Sequence, residues 1–279
     1  MTFTDPILYE THMHTQLCKH AEGTPDDYAA EAKRRGLKGM IITCHCPLPN
    51  GMSSRVRMSP EEWEEYVKLV ADCRERWKGQ VDVRLGLESD YIPGLEKWLA
   101  ELHAREPLNY VLGSIHPQIG EYKDLYFKGD WPAYHRQYFS SLVEAAESGL
   151  FDSLSHPDLV KNYGSDEWDL ESQLDHIRHC LDRIAETDIA MELNTSGLQK
   201  TLPEMNPSPT ILREMCLREI PVTLGADAHQ PDRVAANFED ALELLEQAGY
   251  SSTRIFLDRK PVDIQIEASK TSLISHQES

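Results

Sequence analysis

A chain of 279 residues with 40% hydrophobic side chains is long enough for one α/β barrel as a single unit. Its formal charge of -19, from 47 acidic and 28 basic residues, argues against nucleic acid or an anionic membrane as the main partner, because both need a basic face. No run approaches the roughly 18 apolar residues of a membrane helix.

Met1 to Leu8 carries neither a basic region nor a long apolar stretch, so no signal peptide is expected. The six cysteines, Cys18, Cys44, Cys46, Cys73, Cys180 and Cys216, follow no disulfide-framework spacing. They suit a reducing cytoplasm.

In chain order, apolar strands alternate with amphipathic helices. Ile7 to Glu10 reads as a strand, followed by a helix from Pro25 to Arg35 with Thr24 as N-cap. Gly36 ends it, and Lys38 to Thr43 is the second strand. The segment from Pro47 to Met58 is a long polar loop. Ser59 then caps a helix from Pro60 to about Trp77, and Val81 to Leu87 follows as a strand. A helix from about Pro93 to Ala104 leads to the strand Tyr110 to Ile115. Trp131 to Ser148 is a long helix closed by Gly149, and Phe151 to Ser155 a strand. A helix from Leu170 to Glu186 precedes the strand Ile189 to Leu193, and one from Pro209 to Glu219 precedes Val222 to Gly225. Asp232 to Ala248 is the last helix, closed by Gly249.

Seven strand–helix repeats in strict alternation predict a parallel sheet with helices outside it. The fold class is therefore α/β, and no linker or charge block divides it. Residues 1–269 are expected to form one domain, and 270–279 a polar C-terminal tail.

Seven of the 12 histidines fall where strands stop. His12 and His14 follow the first strand, with His20 shortly after; His45 follows the second, His116 the fourth and His156 the fifth. Glu88 ends the third, and Asp227 and His229 follow the seventh. Imidazole and carboxylate are common ligands for zinc, manganese and iron. These groups are too many for one ion, and in a barrel the C-terminal strand ends meet on one face. The pattern predicts a multi-metal hydrolytic centre. His12-Met13-His14 and Asp227-Ala228-His229 each place two ligands on one side of an extended chain. In a closed barrel the two pairs are neighbours. Glu88 offers two oxygens and suits a bridge between two cations. Cys18, Cys44 and Cys46 read as small buried residues, and His103, His135, His176, His179 and His276 as surface positions.

Several local texts carry a family resemblance. They are Thr11-His12-Met13-His14-Thr15 with Cys18 and His20; His45 before Pro47-Leu48-Pro49; Arg57-Met58; Gly86-Leu87-Glu88 with Asp90-Tyr91; Gly113-Ser114-Ile115-His116; Ser148-Gly149-Leu150-Phe151-Asp152; Glu192-Leu193-Asn194-Thr195; and Leu224-Gly225-Ala226-Asp227-Ala228-His229. Over roughly residues 7–260 the chain resembles the polymerase-and-histidinol-phosphatase (PHP) family of metallohydrolases, of the histidinol-phosphatase type. The resemblance implies a distorted (β/α)7 barrel, TIM-like, with three divalent metal ions (zinc, manganese or iron) at the C-terminal ends of the strands. It implies a first ion on His12, His14, Glu88 and Asp227. A second would lie on Glu88, His116 and His156, and a third on His20, His45 and His229. The implied activity is hydrolysis of L-histidinol phosphate in histidine biosynthesis, by attack of a hydroxide bridging two ions, with Asp227, Glu88 and His229 as catalytic residues. The alternative is another small phosphate ester or a nucleotide phosphoester. Arg57 and Lys161, in loops after ligand-bearing strands, are the residues expected to grip phosphate. Asn194, at the end of strand six, is expected to hydrogen-bond substrate or orient a ligand. An amide hydrolase with a modified lysine after strand four is disfavoured, because His116 stands there.

Overall fold

The computed structural model describes residues 7–273. Seven parallel strands run in sequence order around a nearly closed barrel. They are β1 (Tyr9–Glu10), β2 (Gly39–Ile42), β3 (Asp82–Asp90), β4 (Tyr110–Ser114), β5 (Ser153–Leu154), β6 (Ala190–Asn194) and β7 (Val222–Gly225). The helices between them are α1 (Pro25–Arg34), α2 (Trp63–Arg76), α3 (Glu96–His103), α4 (Gly120–Tyr126), α5 (Trp131–Glu147), α6 (Leu170–Ala185) and α7 (Pro209–Leu217). After β7 come α8 (Phe238–Ala248), the hairpin β8 (Ser252–Leu257) and β9 (Lys260–Gln265), and α9 (Ile266–Ser272).

Local chemistry accounts for the helix starts. Thr24 and Asp27 form a reciprocal capping box over α1, with Pro25 in its first turn. Asp130, Asp169 and Ser208 accept backbone N–H groups at the starts of α5, α6 and α7. Gly249 closes α8 at φ 109°, a conformation open to glycine.

The seam between β1 and β7 has no strand pairing of the ordinary kind and is held by three other devices. Thr11 Oγ1 donates to Leu224 O at 2.9 Å. Met13 and Ala228 form a parallel bridge, with His14 N donating to Ala228 O at 2.9 Å and Ala228 N to His12 O at 3.0 Å. The buried Glu10 carboxylate accepts from His12 N, Ala226 N and Ala235 N at 3.0, 2.9 and 2.7 Å. Burial outweighs those three bonds and pushes the Glu10 pKa up to about 7.

Two cores follow from the barrel. The larger lies between the sheet and its helices. The smaller joins Tyr9, Ile41, Tyr110, Leu112 and Ala190, contributed by four different strands, to Ile255 and Phe256 of β8. The hairpin therefore plugs the N-terminal end of the barrel. Phe256 stacks on Tyr110 with centroids 5.6 Å apart.

The structure corrects the sequence reading in several places. The last long helix starts at Phe238 and not Asp232. Ala235 and Asn237 have φ of 52° and 61°, and Ala235 N is committed to Glu10 instead of a helical carbonyl. The hairpin and α4 had no strong periodicity to announce them; most of β9 is exposed. His135 is fully buried, bonded to Tyr163 O at 2.7 Å, and not a surface residue. Lys270 to Ser272, expected in the polar tail, complete α9. The rest of that tail from 274 onward, with His276, lies outside the described residues. Among the described residues no helix is long and apolar enough to cross a membrane.

Candidate metal centre

The strand register brings the ligand candidates together. The Met13–Ala228 bridge sets His12-x-His14 beside Asp227-x-His229, and a second parallel bridge sets His45 beside Glu88. Residues flanking a paired position project to the same side of a strand. Both pairs therefore face the pocket.

The seven imidazoles form a continuous chain. His14 stacks on His229 at 4.0 Å between centroids, and His229 lies 4.5 Å from His20. His45 lies 4.3 Å from His14 and 5.1 Å from His116, and His116 lies 5.1 Å from His156. His12 is 5.2 Å from His14 and 6.1 Å from His156.

Glu88 sits at the centre and is fully buried. Its Oε1 faces Nε2 of His156, His12 and His116 at 3.3, 3.4 and 3.5 Å. Its Oε2 faces His45 Nδ1 at 2.6 Å and His14 Nε2 at 3.7 Å. One oxygen thus serves each half of the pocket. Ser114 Oγ donates to Oε1 at 2.6 Å and fixes the carboxylate. Asp227 Oδ1 faces His14 Nε2 at 3.1 Å and His12 Nε2 at 3.5 Å, while Ser196 Oγ donates to its Oδ2 at 3.1 Å.

Four rings are held from behind through Nδ1. His12 donates to Glu192 at 2.8 Å and His116 to Asp90 at 3.1 Å. His20 donates to Cys18 O at 2.7 Å and His229 to Asp227 O at 3.0 Å. An Nδ1–H donor leaves the Nε2 lone pair free to ligate. His156 and Asp227 have φ of 27° and 51°, strained for non-glycine residues. Such strain collects at functional sites.

Several atoms here are buried without a hydrogen-bond partner: His12 Nε2, His14 Nδ1, His45 Nδ1, Glu88 Oε2 and His229 Nε2. Buried polar atoms are normally paired. A cluster of unpaired lone pairs fits cations. Ligating atoms of His12, His14 and Asp227 lie within 4.8 Å of one another, as do those of His14, His45 and His229 and those of His45, Asp90 and His116. His20 gathers with His229 and Cys18.

The electrostatics agree. Burial alone would raise Glu88, yet the imidazoles of His45, His12 and His116 hold it well below the usual carboxylate range. Burial would likewise raise Asp227, yet the charge of His12 and the hydrogen bond with His14 hold it well below the usual carboxylate range. Burial pushes His45 and His229 down to about 3, so both rings are neutral at pH 7. Burial also disfavours a proton on His14, but Asp227, Cys44 and Glu88 raise it to about 9. A cation that binds takes the place of such a proton.

The three expected substrate contacts fare differently. Lys161 is fully buried, and its Nζ donates to Asp158 Oδ2, Glu204 Oε2 and Met205 O, each at 3.0 Å. All three ammonium protons are committed within the chain. Arg57 is 2% exposed and donates to Asp90 Oδ2 at 2.6 Å and Cys46 O at 3.0 Å. It steadies the carboxylate behind His116, while its Nε is buried without a partner. Asn194 lies behind the His12 ring. Its Nδ2 donates to Glu192 Oε2 at 2.9 Å, and Glu192 holds His12.

Sequence reasoning missed Glu192 and Asp90 as supports. Both have a visible signal: an acid inside or at the end of an otherwise apolar strand. Gly225 belongs to the same device. A Cβ there would strike the Glu192 carboxylate and lie 2.6 Å from His12 Cβ.

The PHP domain family model matches residues 10–196. A "Probable histidinol-phosphatase" of Deinococcus radiodurans is 36% identical over 260 residues, covering 91% of this chain and 98% of that protein. The chain belongs to the PHP family. A histidinol-phosphatase of Bacillus subtilis is 27% identical, covering 83% of this chain and 97% of its own length. Among solved PHP-type structures, the histidinol phosphate phosphatase of Lactococcus lactis, complexed with zinc, L-histidinol and phosphate, matches with a TM-score of 0.77 at 20% identity. The match covers 91% of this chain and 98% of that one. It corroborates the fold, a distorted seven-stranded barrel.

Proposed function

We propose that this PHP protein is a metal-dependent phosphomonoesterase that hydrolyses L-histidinol phosphate to L-histidinol and phosphate. The observation that carries the reading is the convergence of seven imidazoles and two carboxylates around buried, unpaired lone pairs. The substrate follows from the relatives, two of which are named for this activity over nearly their whole length. A reducing cytoplasm belongs to this reading and suits the six free cysteines.

His12, His14, Glu88 and Asp227 would hold one divalent ion, Glu88, His116 and His156 a second, and His20, His45 and His229 a third. Zinc, manganese and iron all suit such donors. When bound, the ions supply Lewis acidity and a water whose pKa falls from about 15.7 to roughly 7. The protein does the rest. Glu88 spans the two halves of the pocket with its two oxygens and fixes their spacing. Glu192 and Asp90 fix the rings of His12 and His116. Asp227 accepts the proton of the attacking water and returns it to the leaving alkoxide, with Ser196 steadying its Oδ2.

The test is turnover. Protein purified with its own metals is assayed on L-histidinol phosphate, nucleotides and sugar phosphates, and its metals are counted by elemental analysis. L-histidinol phosphate should give the highest kcat/KM, at a metal-to-protein ratio above two. A better nucleotide or sugar phosphate would overturn the substrate. No phosphate release from any ester would overturn the enzyme.

A further inference from the structure

Beside the metal centre is a cavity of about 310 Å³ lined by His20, Ser196, Lys200, Asp227, His229 and Arg233. That volume is at the small end of ligand pockets and suits a small ester. Two of its walls are cationic. We infer that Arg233 and Lys200 form the phosphate-binding wall of this pocket. The inference rests on the phosphatase reading and adds the side chains that hold the substrate's anionic end.

Neither Arg57 nor Lys161 lines this cavity, and the donors of Lys161 are all taken up by Asp158, Glu204 and Met205 O. Arg233 stands in the wall of the cavity itself. It lies four residues after His229, at the end of a short turn Pro231–Arg233. Its Nη2 is buried and has no hydrogen-bond partner. A guanidinium nitrogen buried without an acceptor is costly unless a ligand supplies one. The planar fork of arginine matches phosphate oxygens in pairs. Lys200 stands on the facing loop, close enough for its charge to act on Asp227.

The charge of the whole molecule sharpens the argument. A chain of -19 repels a phosphate dianion at long range. Local cations beside the ions offset this. They also orient the substrate: an ammonium on the leaving group is repelled from this wall, so the phosphate enters toward Arg233 and the amino end points away.

Inorganic phosphate is the probe. Its inhibition constant is measured with wild type, Arg233→Ala, Arg233→Lys and Lys200→Ala, using p-nitrophenyl phosphate and L-histidinol phosphate as substrates. Elemental analysis follows the metals. Arg233→Ala should weaken phosphate inhibition and raise KM by about 10- to 100-fold, the worth of one charge-assisted hydrogen bond. Its metal-to-protein ratio should stay unchanged. Arg233→Lys should recover part of the loss, and Lys200→Ala should show a smaller one. Unchanged phosphate inhibition in Arg233→Ala, or a loss that tracks lost metal, would overturn the inference. If L-histidinol phosphate is not turned over while phosphate inhibition of p-nitrophenyl phosphate hydrolysis still depends on Arg233, the substrate assignment fails and the phosphate wall stands.

Discussion

The two ends of the barrel are built from the same strands and follow opposite rules. At the N-terminal end, charged groups are matched within the chain. Arg259 pairs with Asp152 at 2.5 Å, Arg84 with Asp82 at 2.8 Å, and Asn109 Oδ1 accepts from Arg84 and Asp258 N. The β8–β9 hairpin fills the opening with Ile255 and Phe256. At the C-terminal end, lone pairs of His12, His45, His229 and Glu88 are buried and unmatched. At one end arginines pair with carboxylates; at the other, imidazoles and carboxylates crowd together with no cationic side chain between them, a donor set that suits metal ions. Stability at one face and chemistry at the other is the division expected of barrel enzymes.

This contrast is breakable from either end. The largest effect is expected at Glu88. Glu88→Ala removes the group that serves both halves of the pocket, so several kcal/mol of charge stabilisation go with it. Hydrolysis should fall by about 10³-fold or more, with fewer metals per chain by elemental analysis. Retained metals and rate would remove its central place. Phe256→Ala attacks the other end. Melting should show a loss of about 3 kcal/mol or more, while kcat/KM of the folded protein stays near wild type. A large drop in kcat/KM at unchanged stability would mean that the two faces are coupled.

Glu192→Gln sharpens the comparison, since it keeps the shape behind His12 but removes the charge. Metal affinity, measured by chelator competition, should weaken by about 10- to 100-fold. An unchanged affinity would make Glu192 a packing residue. The smallest effect belongs to Arg254→Ala, which breaks the partly exposed pair with Asp263 at 2.8 Å. Its cost should stay below about 1 kcal/mol in a denaturation series, with no change in metal content.

Much of the centre was legible before folding was considered, because ligands at strand ends leave a mark in the sequence. His12, His14, His45, Glu88, His116 and Asp227 each follow an apolar run within a few residues. The supports were half-legible: Glu192 interrupts Ala190-Met191-Leu193, but nothing nearby tells that its partner is His12, 180 residues away. The surroundings of the cations were hidden for the same reason. Arg57 and Lys161 look like free charges after ligand strands, and Arg233 falls inside the helix expected from Asp232. Their true states depend on Asp90, Asp158 and Glu204, and on the break at Ala235 and Asn237. The hairpin escaped notice because β9 reads Lys260-Pro261-Val262-Asp263 and lacks a buried face.

The sequence by itself determined the seven strand–helix repeats and the placing of metal-seeking side chains at their ends. Both are local patterns, set by the period of burial along a strand or helix and by the residues that stop it. Only the tertiary structure decided how the seam between β1 and β7 is closed, and which lysine or arginine retains a free charge. Those outcomes depend on distances between residues far apart in the chain. A charge is open to a ligand only when no distant partner has already desolvated and bound it.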